Sequence, residues 1–445
     1  MSDFNGNHEI LTTDPTTGVA RKIQVSDIYN ITVDLNERVP VNTDLVPVSD
    51  PTTGIAGKST IKQVCNANTL AVSIESTGTA PPLFSQIITP ASGVQIGSVM
   101  VFPDGATADA FVYSNGFSTT LTVSNLSIVQ STFSMSTWPS LTSLSFPVLV
   151  AVGTSFSPTT MVSLTTLSVP ALAFVGGSFG PTTMASLTTL SVPALVYVSS
   201  FFNPATMASL TTLSAPALAL VGGSFGPTSM ASLTNLSVPA LAFVGSVFGP
   251  NGMASLTTLS APALAYVLGA FLPNSMAALT SLTIPALAFV GGSFGPTSMA
   301  SLTTLTAPAL TSVGVDINRT VFNVGNIAPA TMGALTSLTF PVIEVIGATS
   351  SVSINIISGT AALVTFTLGS TLRRVEGNVI MTSCALNQAS VDDLLVRLAA
   401  LDGTGLTTAY SSKTVTILGT SAAPSATGLA AKATLAARGC TVTHN

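Results

Sequence analysis

Apolar and polar positions recur along the middle of this chain on a 23-residue period. The frame M-A-S-L-T-T-L-S-x-P-A-L-x-x-V-G-G-S-F-G-P-x-x opens at Met161, Met184, Met207, Met230, Met253, Met276 and Met299. Trp138 takes the methionine place one block earlier. Met332 opens a further block after a ten-residue insertion that carries Asp316 and Arg319. A period between about 20 and 50 residues marks a solenoid, in which one unit stacks on the next. Within the Met161 block, Leu164, Leu167 and Val169 follow the pattern L-x-x-L-x-L. Leu167 and Val169 alternate with Thr166 and Ser168, which predicts a short strand with its apolar side toward a core. Pro170 ends that strand. Leu172, Val175 and Phe179 continue the buried set, and Gly176 and Gly177 permit a tight turn.

The flanks read differently. Residues 1–70 hold a short duplication: Leu11-Thr-Thr-Asp14-Pro15-Thr-Thr-Gly18 ahead of Lys22, then Val48-Ser-Asp50-Pro51-Thr-Thr-Gly54 ahead of Lys58. Asp-Pro-x-x-Gly is turn chemistry, because proline presets φ and glycine accepts a positive one. Each half therefore reads as strand, turn, then strand or short helix. Residues 71–137 read as a β-rich lead-in that caps the array, with strand-like runs at 71–74 and 99–102. The solenoid occupies 138–344, and 345–385 continue it irregularly, with strands at 352–357 and 362–368. Residues 386–445 form an α/β cap. There a helix over 391–401 is opened by Ser390, with Asp393 at the capping-box position, Asp392 in the first turn and Gly403 beyond the end. Val391, Leu394, Leu395, Leu398 and Leu401 share its apolar face. A strand at 414–418, a second helix over about 425–438 stopped by Gly439, and a strand at 440–443 complete the cap. The fold class is thus mainly β: a leucine-rich-repeat-like solenoid of 23-residue coils between a small β-rich N-terminal attachment region and an α/β C-terminal cap.

Two outward ladders follow from the alternation. The first bears hydroxyls, in the pairs Thr166/Ser168, Thr189/Ser191, Thr212/Ser214 and Thr258/Ser260. It reads as a solvated sheet face, a contact surface for carbohydrate or a partner, or an ice-binding threonine array. The second is aromatic: Phe174, Tyr197, Leu220, Phe243, Tyr266 and Phe289. An outward aromatic stripe exceeds what a soluble monomer normally shows, so it reads as a subunit interface. Burial under an adjacent loop of the same coil and sugar stacking are other readings, and the column is core if the alternation slips by one residue.

Composition narrows the function. The 445 residues include only 12 Lys and Arg and 17 Asp and Glu, and residues 110–315 contain none of these and no histidine. Nucleic acid and anionic lipid need clustered Lys and Arg, which this region lacks. It also lacks the charge that keeps a monomer soluble, so its surface reads as covered in an assembly. No apolar run approaches the ~20 residues of a bilayer-spanning helix, and MSDFNGNHEI has no signal-peptide pattern. Cys65, Cys384 and Cys440 read as free buried thiols. The only histidines, His8 and His444, leave the solenoid without a base to activate a hydroxyl. Gly176-Gly-Ser-Phe-Gly180 lacks the Lys-Ser/Thr of a phosphate loop. No catalytic set, metal cluster or cofactor site is expected.

The phrase L-T-T-L-S-V-P-A-L-x-x-V-G-x-S-F resembles leucine-rich repeats of the BspA or Treponema type over nine blocks, although those usually carry exposed charges. The duplicated V-x-D-P-T-T-G-x-x-x-K resembles the virion-attachment ends of bacteriophage tail fibres. The segments beginning at Leu386, Ala422 and Ala437 resemble the closing part of phage-encoded leucine-rich-repeat proteins. These resemblances imply a non-enzymatic phage virion protein on the particle surface, made in the host cytoplasm. It would be a tail-fibre or spike subunit that attaches through residues 1–70, with Asp14, Pro15, Gly18, Asp50, Pro51 and Gly54 as attachment candidates. It would associate with itself, most simply as a homotrimer, and contact a host-surface glycan or protein. The alternative is a capsid-bound head fibre or decoration protein with a mainly structural role.

Overall fold

The computed structural model describes residues 119–314, 325–347 and 351–445 throughout. Before residue 119 it describes the strands Glu9–Thr13, Ala20–Gln24, Val48–Ser49, Ala56–Gly57, Val72–Ser73, Leu83–Phe84, Val99–Ala108 and Phe111–Ser114. The chain forms two compact units, Met1–Ala242 and Phe243–Asn445. Each is mainly β and built as a parallel β-solenoid.

One coil shows how the sequence specifies the fold. From Met161 onward, Met161, Leu164, Leu167, Val169, Leu172, Val175 and Phe179 are all buried, at 5% exposure or less. A coil has three sides. The strand Thr166–Ser168 forms the first and Phe174–Val175 the second, and the bridge positions Phe179 and Thr182 form the third. Each side pairs in parallel with the same side of the next coil, so residues one repeat apart are partners. In the first unit the second side runs Ala151↔Phe174↔Tyr197↔Leu220. In the second unit it runs Phe243↔Tyr266↔Phe289↔Ser312↔Val345. Insertion residues 315–324, which include Asp316 and Arg319, lie outside the described residues. The frame holds across them, since Thr304 pairs with Ser337 and Ser312 with Val345.

The third side carries a stack of phenylalanines inside the coil. In the first unit Phe179–Phe202 and Phe202–Phe225 lie 5.2 and 5.1 Å apart between ring centroids. In the second, Phe248–Phe271 and Phe271–Phe294 are both at 5.2 Å, with planes within 7° of parallel. The spacing follows from the stacking of coils, because parallel strands lie about 4.8 Å apart and offset rings sit about 4.5–7 Å apart. Phe340 closes the second stack edge-on against Phe294.

A left-handed residue precedes each coil. Thr137, Thr160, Thr183, Thr206, Ser229, Ser275, Ser298 and Thr331 have φ between 56° and 59°, and Gly252 has φ 73°. A non-glycine residue seldom adopts this region, yet here one recurs in almost every repeat.

At the C-terminal end of the second unit the third side passes into an α/β arrangement in register. Phe294, Ile327 and Ile354 are bridge partners, and Ile354 pairs with Val379, Val379 with Val415 and Val415 with Val442. The strands Val352–Ile356, Asn378–Cys384, Thr414–Gly419 and Thr441–His444 thus form one parallel sheet. Helices α1 (Gln388–Ala399) and α2 (Ala426–Ala437) make two of its crossovers. Ser390, Val391, Leu394, Leu395 and Leu398 form the buried face of α1, and Leu401 beyond it is buried too.

The start of α1 differs from the sequence reading. Its N-cap is Asn387, whose side chain accepts from the Ser390 N–H at 2.8 Å. Ser390 therefore lies inside the helix, where its hydroxyl accepts from the Phe366 N–H at 3.2 Å. No acidic residue falls in the first turn. Asp393 pairs with Arg397 one turn on, at 3.1 Å, and Asp392 reaches α2. The helix begins early because Asn387 is as good a cap as serine, while the Ser390 hydroxyl is committed to the sheet.

Cys384 and Cys440 are free and buried, as expected, and burial pushes the Cys384 thiol up to about 11. Cys65 lies outside the described residues.

Candidate functional site

The first side of the coils is the outward polar face. Leu167, Leu190, Leu213 and Leu236 point into the core with at most 5% exposure. Their neighbours on the strand are turned out by the two-residue pleat. Thr166, Thr189, Ser191 and Thr258 are exposed, and Ser168, Thr212, Ser214 and Ser260 are half-exposed. All eight hydroxyl-ladder candidates therefore reach solvent. In the first unit they align in the pairs Thr189↔Thr212↔Asn235 and Ser191↔Ser214↔Ser237.

A further threonine precedes each pair and has a different task. The Thr165 hydroxyl donates to the carbonyl of Thr142 at 3.0 Å, Thr211 to Thr188 at 3.1 Å and Thr234 to Thr211 at 3.1 Å. Thr303 does the same to Thr280 in the second unit, at 3.0 Å. Both threonines of L-T-T-L reach solvent, and the first also ties its coil to the previous one. The repeat carries the signal, but the alternation assigns no task to the first threonine.

The ladder also extends beyond the 23-residue frame. Ser281, Thr304, Ser337 and Thr365 are register partners, as are Thr283, Thr306, Thr339 and Thr367. The last pair escapes the sequence pattern because Phe366 replaces the leucine and the spacing lengthens. Adjacent hydroxyls meet in this ladder, where Thr306 Oγ1 donates to Thr283 Oγ1 at 3.1 Å.

The aromatic column is a correction. Tyr197, Leu220, Phe243 and Phe289 are only 5–8% exposed, and Phe174 and Tyr266 are half-buried. The alternation turns these residues outward, but at Phe174 and Phe289 the glycine turn that follows makes room for the ring to lie back on its own coil. A Cβ on Gly176 would lie 3.2 Å from Phe174 Cε1 and 2.1 Å from the Gly153 carbonyl, and Gly291 stands likewise to Phe289. Phe174 and Tyr197 stack at 5.3 Å. The column is therefore packed within the coil, and little of it is left for a subunit interface.

The strands flanking the two Asp-Pro motifs pair antiparallel, Thr13 with Ala20 and Ser49 with Ala56. Asp14, Pro15, Gly18, Asp50, Pro51 and Gly54 lie outside the described residues. Among the described residues no three His, Cys, Asp or Glu are placed to hold a metal, and no helix is long and apolar enough to cross a membrane. His444 Nε2 lies 3.0 Å from Lys432 Nζ in the C-terminal sheet region, away from the hydroxyl face.

Fold and face together define a mainly β, parallel β-solenoid with one neutral, hydroxyl-bearing side. Set against known protein families, curated proteins and solved structures, the chain has no match in any of the three.

Proposed function

We propose that the chain is a non-enzymatic structural protein of a phage virion. In this reading it is a tail-fibre or spike subunit, anchored through residues 1–70, whose distal part contacts the host surface. The observation that carries this reading is a long run of solenoid coils without one Asp, Glu, Lys, Arg or His. Such coils supply no general base, nucleophile partner or metal ligand. They do supply what a shaft needs: repeated backbone pairing and a continuous apolar interior, which stabilise each coil through its neighbours. The duplicated Asp-Pro motif and the phage-like closing segments support the virion assignment.

Self-association into a homo-oligomer, most simply a trimer, accompanies this reading, because a surface with so little charge is poorly suited to a free monomer. Its contact lies elsewhere than the aromatic column. Light scattering on the purified chain should return a multiple of the 44.8 kDa chain mass. A well-behaved monomer would remove the oligomer from the proposal.

The functional test uses particles. Deleting residues 1–70 should abolish incorporation of the chain into virions, and normal incorporation would overturn the anchoring role. Particles carrying a chain without residues 138–344 should lose host adsorption. Unchanged adsorption would favour the decoration reading over the fibre.

A further inference from the structure

The outward strands of the first side carry only short neutral polar groups, set in two ranks. In the second unit one rank is Ser281, Thr304, Ser337 and Thr365 and the other is Thr283, Thr306, Thr339 and Thr367, all in register. All eight side chains are exposed or half-exposed. The residue between each pair (Leu282, Leu305, Leu338 or Phe366) is at most 1% exposed. The first unit repeats the arrangement on Thr189–Ser191, Thr212–Ser214 and Asn235–Ser237. Strands in such a ladder lie about 4.8 Å apart, and residues two apart on one strand about 6.6 Å apart. Each rank is therefore a row of oxygen-bearing groups at fixed spacing, pinned from below by a buried side chain.

We infer that this face binds ice. A hydroxyl donates and accepts hydrogen bonds as water does, so a rigid two-dimensional row of hydroxyls holds water at regular positions. Charge complementarity points the same way. Residues 110–315 contain no Asp, Glu, Lys, Arg or His, so across the first unit's ranks no charged side chain imposes its own hydration shell on the lattice. Each anchored water contributes little, and many acting together give the binding, as in any multivalent contact.

A neutral polysaccharide is the rival occupant. Sites for organic ligands are concave, and aromatic or apolar walls with a few converging polar groups line them. The outward residues of these strands are Thr, Ser and Asn, without a ring. The inference goes beyond the virion reading and does not depend on it.

The test uses the full chain in dilute buffer with single ice crystals and with polycrystalline ice held just below melting. The wild type should facet growing crystals and suppress recrystallisation. The variant Thr189→Tyr/Thr212→Tyr/Thr304→Tyr/Thr339→Tyr should lose both effects while keeping the wild-type far-UV circular dichroism. Ala208→Tyr/Ala300→Tyr, at exposed turn positions off the face, should retain both. A folded wild type that leaves crystals as rounded discs overturns the proposal, as does a face variant that still facets them. Co-sedimentation with insoluble cellulose, tested in parallel, assigns the face to polysaccharide if the face variant loses that binding and leaves ice growth unchanged.

Discussion

At the scale of single residues, the most unusual feature is the recurring positive φ ahead of each coil. Thr206 sits there with φ 58° and an exposed side chain. A left-handed conformation at a non-glycine residue costs on the order of 1–3 kcal/mol, and a β-branched side chain is the least suited to it. Gly252 occupies the same place in its own coil at no such cost. Ser275 uses its hydroxyl to donate to Asn274 Oδ1 at 3.0 Å, whereas nothing in the structure explains the threonine at position 206. Thr206→Gly should therefore stabilise the first unit. Part of the gain is offset by the larger entropy of glycine in the unfolded chain, about 0.5–1 kcal/mol. The expected net effect is about 1 kcal/mol, read as a higher urea midpoint at unchanged slope. Gly252→Thr should lower the midpoint of the second unit by a similar amount. A lower midpoint for Thr206→Gly would show that the threonine makes a compensating contact.

At the scale of elements, the two C-terminal helices are joined by one carboxylate. Asp392 on α1 accepts from the Ser425 N–H at 2.9 Å and from its hydroxyl at 2.5 Å. Ser425 is the N-cap of α2. Gly428 leaves room for this contact, because a Cβ there would lie 2.1 Å from Asp392 Oδ1. Asp392→Ala strands two donors at the start of α2 and should cost about 1–2 kcal/mol, toward the low end for a half-exposed group. It should be seen as an earlier loss of helical signal on heating. Alkali should act on the same region. Burial raises the Cys384 thiol from 9.0 to about 11 and also raises the Tyr410 hydroxyl. Both acids are neutral when folded, so their contribution is fully present below the unfolded-state values. It is lost as pH climbs through the folded ones. Stability of the second unit should hold to about pH 9 and decline toward pH 11, and Cys384→Ala should flatten the earlier part of that decline. How far the sequence foretells these elements depends on whether the deciding interaction is local. Leu167, Val169 and Phe179 are legible as core because alternation and period alone place them. The apolar face of α1 is legible for the same reason. The start of α1 is not, because Ser390 is drawn away by the Phe366 N–H, a partner remote in sequence. Nor is the burial of Phe289, whose ring lies back over the turn at Gly291. The hydroxyl face is legible to its last regular coil and then lost at Thr365, where the spacing changes.

At the scale of the molecule, the repeat makes a strong demand on length. Within the first unit, successive regular coils pair at positions 23 residues apart, as in Ser191 with Ser214 and Val198 with Val221. The Phe stack and the threonine ties follow the same interval, as in Phe179 with Phe202 and Thr211 with Thr188. A coil is stabilised mainly by these nearest-neighbour interfaces, so solenoid stability is close to additive along the array. Removing residues 184–206 as one block joins Thr183 to Met207. The new junction repeats contacts the chain already makes: Phe179 comes to face Phe225, and Thr211 can donate to the Thr165 carbonyl. The shortened chain should fold with unchanged far-UV circular dichroism per residue and lose about one coil's share of the denaturant slope, which scales with the surface exposed on unfolding. Removing residues 184–205 instead leaves a chain that differs only by keeping Thr206, but it breaks the frame. A one-residue slip turns leucines outward and hydroxyls inward along a strand, and the junction places both Thr183 and Thr206 ahead of Met207, where the repeat has one left-handed residue. That variant should aggregate or unfold at markedly lower urea. If the two deletions behaved alike, the stacking interval would not be what organises the array, and the additive account of its stability would fail.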